Sequence, residues 1–114
     1  MNEIKVVKVK TKPKMYFGKH VQDAIVNFQN TEDKKVKDDI YNEEIQPAFE
    51  KLSESLIYIY RFNQNNVNVE ELKNDCVSFL YETIHKWKPE KGTKAFSYFN
   101  VVAKHWLIIR ARQN

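Results

Sequence analysis

The residues best suited to chemistry lie towards the end of the chain. Between positions 94 and 112 the aromatics Phe96, Tyr98, Phe99 and Trp106 alternate with Lys94, Lys104, His105, Arg110 and Arg112. Cations bind phosphates without reading sequence, and aromatic rings stack on unpaired bases, so the mixture suits a nucleic-acid strand. The same residues read equally well as a core face with a solvated basic flank. A second group, Glu71, Asn74, Asp75, Ser78 and Glu82, recurs at helical spacing, with Val77 and Tyr81 on or beside it. Carboxylates next to exposed apolar side chains suit a protein partner that presents arginines, while pattern alone allows a merely solvated helix face.

Other chemistries find little support. His20, His85 and His105 are scattered, and Cys76 is the single cysteine, so no metal-ligand spacing emerges. Cys76 falls inside an apolar helical pattern and reads as a small buried hydrophobe. The sequence has neither a glycine-rich phosphate loop nor a nucleophile elbow. The carboxylates between 32 and 54 read as acidic helix faces. No enzymatic activity, metal or cofactor is expected.

The elements that must position these groups are helices. The chain has 114 residues, enough for one domain, and only two glycines and three prolines; a many-stranded sheet would need more turn residues. Val21, Ala24, Ile25 and Phe28 predict a helix over 19–30. Apolar spacing continues over 33–62, and Pro47 must interrupt it, ending one helix near 42–45 and opening another. Residues 63–68 read as a polar linker with no core-forming capacity. A helix over 69–87 follows, capped by Asn68 with Glu71 in capping-box position, its apolar stripe formed by Val69, Leu72, Cys76, Phe79, Leu80, Ile84 and Trp87. Lys88-Pro89-Glu90-Lys91-Gly92 predicts a tight turn, and Thr93 a cap for a last helix over 94–112. Apolar residues cover most of that helix's circumference, so part of it must be exposed or covered by a partner. The fold class is therefore all-α, a bundle of four to five helices over 17–114 behind a basic, disordered arm at 1–16.

Charge is distributed unevenly. Residues 32–54 hold eight acidic side chains against four lysines, whereas 85–114 hold seven lysines and arginines against one glutamate. Lys5, Lys8, Lys10, Lys12 and Lys14 make the arm basic as well, so a polyanion would meet the two ends rather than the middle. With no apolar run long enough for a membrane span and no signal-like segment, the expectation is a cytoplasmic protein without a membrane partner.

The stretch Glu71-Leu72-Lys73-Asn74-Asp75 to Phe79-Leu80-Tyr81-Glu82, followed by Trp87-Lys88-Pro89-Glu90-Lys91-Gly92-Thr93-Lys94-Ala95-Phe96-Ser97-Tyr98, resembles the central domain of bacterial sigma factors. The small late-transcription factors of T-even-like phages are the most similar branch in length and character. The resemblance implies a sigma region 2-like bundle with two partners. Glu71, Asn74, Asp75, Val77 and Tyr81 would dock on the coiled coil of the largest catalytic subunit of host core RNA polymerase. Thr93, Lys94, Tyr98, Val101, Val102, Lys104, His105 and Ile108 would recognise an AT-rich −10-type element of promoter DNA. The polymerase would carry the catalytic metal, a phage co-activator and a sliding clamp would be further partners, and the chain would be monomeric outside the complex. Where the family often has two tryptophans that wedge DNA, this chain has Val101 and Val102, which shifts strand opening to Tyr98, Phe99 or Trp106. The run stops at Arg110-Ala111-Arg112-Gln113-Asn114, so the family's downstream promoter domain and a clamp-binding tail are expected to be missing. The alternative is a helical protein that binds polymerase or nucleic acid without promoter specificity.

Overall fold

A computed structural model describes residues 16–64 and 67–112. The basic arm, except for Tyr16, lies outside the described residues. Tyr16 already packs on the core, with its ring 6.4 Å from that of Phe96.

The first helix, α1, spans Lys19–Asn30, and its buried Val21, Ala24, Ile25 and Phe28 are the stripe that the spacing predicts. Asp33 starts α2 (Lys34–Ile40) by accepting from the backbone N–H groups of Lys35 and Val36 at 2.9 and 3.3 Å. The short α2 buries no residue. On its surface Lys34 pairs with Asp38 and Lys35 with Asp39.

Pro47 does not break the chain here. A π-helical turn over Tyr41–Ile45 carries the backbone from α2 directly into α3 (Gln46–Ile59), with Gln46 N–H bonded to the carbonyl of Tyr41. One wide turn shifts the hydrogen-bond register just before the proline, which then occupies the first turn of α3, where its missing N–H is harmless. Ile45 is driven fully into the core by this turn. The helix boundary predicted near 42–45 is therefore a π-helical turn inside a continuous helical run, with α3 starting at Gln46, one residue before Pro47.

α3 ends in a two-bond cap. Phe62 N–H donates to Ile57 O at 2.8 Å and Arg61 N–H to Tyr58 O at 3.3 Å, with Arg61 in the left-handed region at φ +60°. The predicted linker is not free of core contacts, since Val67 packs partly against the core. Asn68 Oδ1 accepts from Glu71 N–H at 3.0 Å and opens α4 (Val69–Thr83). α4 thus stops at Thr83, four residues short of the predicted end at 87, and a 3₁₀ turn at Ile84–Lys86 follows.

The connector from α4 to α5 (Ala95–Arg112) is clamped by α1. Gln29 Nε2 donates to the carbonyls of Ile84 and Trp87, both at 2.8 Å. Gln22 Oε1 accepts from Ala95 N–H at 2.8 Å and caps α5, the role expected of Thr93. The Thr93 carbonyl instead accepts from the indole N–H of the buried Trp87 at 2.9 Å. Gly92 allows the turn because it stands at φ +83°. Two glutamines of the first helix thus set where the last helix begins.

The result is an all-α bundle, with no strand among the described residues. α3 packs along α4, and α5 lies against both. Phe49 centres the core, its ring 6.0 Å from Phe17 and 5.2 Å from Phe99. Among the described residues no helix is long and apolar enough to cross a membrane.

Candidate functional site

Leu72, Cys76, Val77, Leu80 and Thr83 form the buried side of α4. Its outer side leaves Glu71, Asn74, Ser78, Tyr81 and Glu82 exposed. The expectation that Val77 is an exposed apolar contact is corrected: it is 6% exposed, because α4 turns this position towards its neighbours. Tyr81, in contrast, is 44% exposed.

An open groove runs between α4 and the π-helical turn. Asn74, Val77, Ser78, Tyr81 and Glu82 line one wall, and Asp38, Tyr41, Asn42, Gln46 and Glu50 the other. Val77 therefore contributes to the groove from its base. The rings of Tyr41 and Tyr81 meet edge to face at 4.7 Å, and Phe28 adjoins both, at 6.3 and 6.2 Å. Burial, with Tyr81 and Glu50 alongside, pushes the Tyr41 phenol well above its ordinary value. The groove combines three carboxylates, Asp38, Glu50 and Glu82, with two tyrosines and supplies no lysine or arginine. It matches a cationic side chain, which the carboxylates attract and the ring faces accommodate. The acidic half of this wall was missed in the sequence because Asp38, Tyr41 and Glu50 belong to different helical elements. Only the π-helical turn brings them opposite α4.

Glu71 is exposed on the first turn of α4 but does not line the groove. Asp75 faces the other way. Its Oδ2 pairs with Arg110 of α5 at 3.0 Å, and the guanidinium lies 5.4 Å from the Trp106 ring, which stacks on Phe79. Burial pushes the Cys76 thiol up to about 11; the neighbouring Ser53 hydroxyl pulls weakly the other way and makes no well-formed hydrogen bond of its own.

On α5, Ala95, Phe99, Ala103 and Leu107 form a buried ridge at every fourth residue. Lys94, Tyr98, Val101, His105 and Ile108 follow one another at steps of four, three, four and three, which places them on a common face away from that ridge. Lys94, Val101 and His105 are exposed, whereas Tyr98, Val102, Lys104 and Ile108 are half-buried. Thr93 is exposed at the turn. Of the three rings considered for strand opening, Phe99 is withdrawn completely into the core, and Trp106 is engaged with Phe79 and Arg110; Tyr98 alone is on the common face.

Two exposed groups lie beside the predicted site residues. Ile109 is 57% exposed beside the common face. Tyr60, at the end of α3, lies under the Lys104 ammonium at 4.9 Å. Its signal was the run of large side chains at 58–62, which reads as generic helix until the burial is known.

No family model, curated protein or solved structure matches the chain.

Proposed function

We propose that the chain is a sigma-like initiation factor, which binds host core RNA polymerase and directs it to promoters with an AT-rich −10-type element. One observation carries the reading: neighbouring helices present opposite chemistries. An acidic, tyrosine-lined groove borders α4, and a cationic, apolar face runs along α5. The groove suits arginines on the coiled coil of the largest polymerase subunit. Asn74 and Tyr81 are its exposed contacts, Glu82 and Glu50 join them, and Glu71 stands outside it on the exposed first turn of α4. The face of α5 suits the non-template strand, with Lys94 and Lys104 on phosphates and Tyr98, Val101, Val102, His105 and Ile108 against bases and sugars. Thr93 stands where the strand would enter.

The reading is tested by run-off transcription with host core polymerase on phage late promoters. A promoter-dependent product that requires this chain is the expected result. Glu71→Arg and Glu82→Arg should each prevent co-purification with polymerase while leaving the helical circular dichroism spectrum unchanged. Polymerase binding without any promoter-dependent product would instead favour a polymerase-binding protein that lacks promoter specificity. Undiminished binding by both variants would remove the groove and Glu71 from the polymerase contact.

A further inference from the structure

The end of α3 carries a strain that the fold does not require. Arg61 occupies the left-handed region at φ +60°, where a Cβ is disfavoured and helix caps ordinarily have glycine. Both cap bonds, Phe62 N–H to Ile57 O and Arg61 N–H to Tyr58 O, involve only backbone atoms. Glycine would make the same bonds without the strain, so stability does not explain an arginine here. Strain of this kind concentrates where a side chain has work outside the fold. The Arg61 side chain is exposed, and among the described residues it forms no ion pair.

Its surroundings indicate what that work is. The rings of Tyr60 and Phe62 stack at 6.1 Å with 28° between their planes. Tyr58 and Ile59 are 52% and 67% exposed, an unusual run of large side chains in solvent. Lys104 reaches over Tyr60 at 4.9 Å, and on α5 it flanks Val101, His105 and Ile108. The patch at the end of α3 is thus continuous with the face of α5. It combines aromatic rings with two cations, the complement of a strand that displays both phosphates and bare base faces; a duplex hides the latter.

We propose that Tyr60, Arg61 and Phe62 form a second contact for single-stranded DNA. A base stacks on Tyr60 in the place held by the Lys104 ammonium, and Lys104 and Arg61 take the flanking phosphates. The inference rests on the reading of α5 as a nucleic-acid face, and it carries the strand across the seam between α5 and α3.

The test is fluorescence anisotropy with a labelled AT-rich 20-nucleotide single strand and with its duplex. Arg61→Gly should raise the thermal unfolding midpoint yet weaken single-strand binding several-fold, lowering the slope of log K against log salt by about 0.7. Tyr60→Ala should weaken single-strand binding roughly tenfold and leave that slope unchanged. Arg61→Gly and Tyr60→Ala proteins that bind as wild type, beside a weakened His105→Ala protein, would overturn the second contact and leave the α5 reading in place. Equal losses on single strand and duplex would overturn the stacking role of Tyr60. Failure of the wild-type protein to bind the single strand would overturn both readings, whereas polymerase co-purification would report separately on the groove.

Discussion

Asp75 stands between the two proposed faces and belongs fully to neither. Its carboxylate is committed to Arg110 across the α4–α5 seam, with both side chains partly in solvent. Pairs of this kind contribute little, so Asp75→Ala should lower stability by less than about 1 kcal/mol in chemical denaturation. Asp75→Arg would repel Arg110 as well as any cationic partner, which makes Glu71→Arg the cleaner probe of docking. Cys76 makes a different prediction. Its folded-state thiol is raised to about 11 from 9.0 by burial, so the native state holds its proton more tightly than the unfolded chain does. The corresponding stability is complete below pH 9.0 and is lost as the pH rises towards 11. Tyr41, raised for the same main reason, adds to the loss in the same direction. Thermal midpoints should therefore fall over that alkaline window, and a thiol reagent at neutral pH should leave Cys76 unmodified until the protein unfolds. Midpoints that stay flat would contradict its burial.

At the scale of elements, the positions of α4 and α5 depend on contacts from α1. Gln22 satisfies the first free N–H of α5, and Gln29 holds two carbonyls of the connector. Gln22→Ala should cost about 1 kcal/mol and speed hydrogen exchange at the Ala95 amide. Unchanged exchange there would show that Gln22 does not cap the helix in solution. Gly92→Ala should cost about 1 kcal/mol through its positive φ alone, since a Cβ there would meet nothing within 4 Å. The helix starts at 19 and 69 were legible because the apolar stripe of α1 and the Asn68 cap of α4 are local in sequence, whereas α2 buries no residue and starts at an Asp33 cap that the spacing over 33–62 did not single out. The π-helical turn was not legible either. Pro47 announces an interruption, but whether the chain breaks or widens by one residue is decided by the burial of Ile45 and by what packs on Tyr41.

For the molecule as a whole, the two faces separate its charges. A groove lined by Asp38, Glu50 and Glu82 borders α2, α3 and α4, while α5 and the turn before it carry Lys88, Lys91, Lys94, Lys104, Arg110 and Arg112. Nucleic-acid binding should accordingly weaken steeply with salt, and Lys94→Ala together with Lys104→Ala should reduce that dependence without disturbing polymerase co-purification. Loss of both functions together would indicate that the faces are not separable.

The fold class, helix starts within a residue of those observed and the segregation of acidic from basic segments were legible in the residues alone. These depend on side chains three or four residues apart, whose relation a helix fixes locally. Which of those side chains meet solvent depends instead on how the helices pack. Val77 and Tyr81 share a helix one turn apart, yet the neighbouring helices bury the first and expose the second. Phe99 is likewise drawn into the core beside Phe49, while Tyr60 emerges next to Lys104. Contacts between residues distant in the chain, such as Gln22 with Ala95, set these outcomes, and no local spacing encodes them.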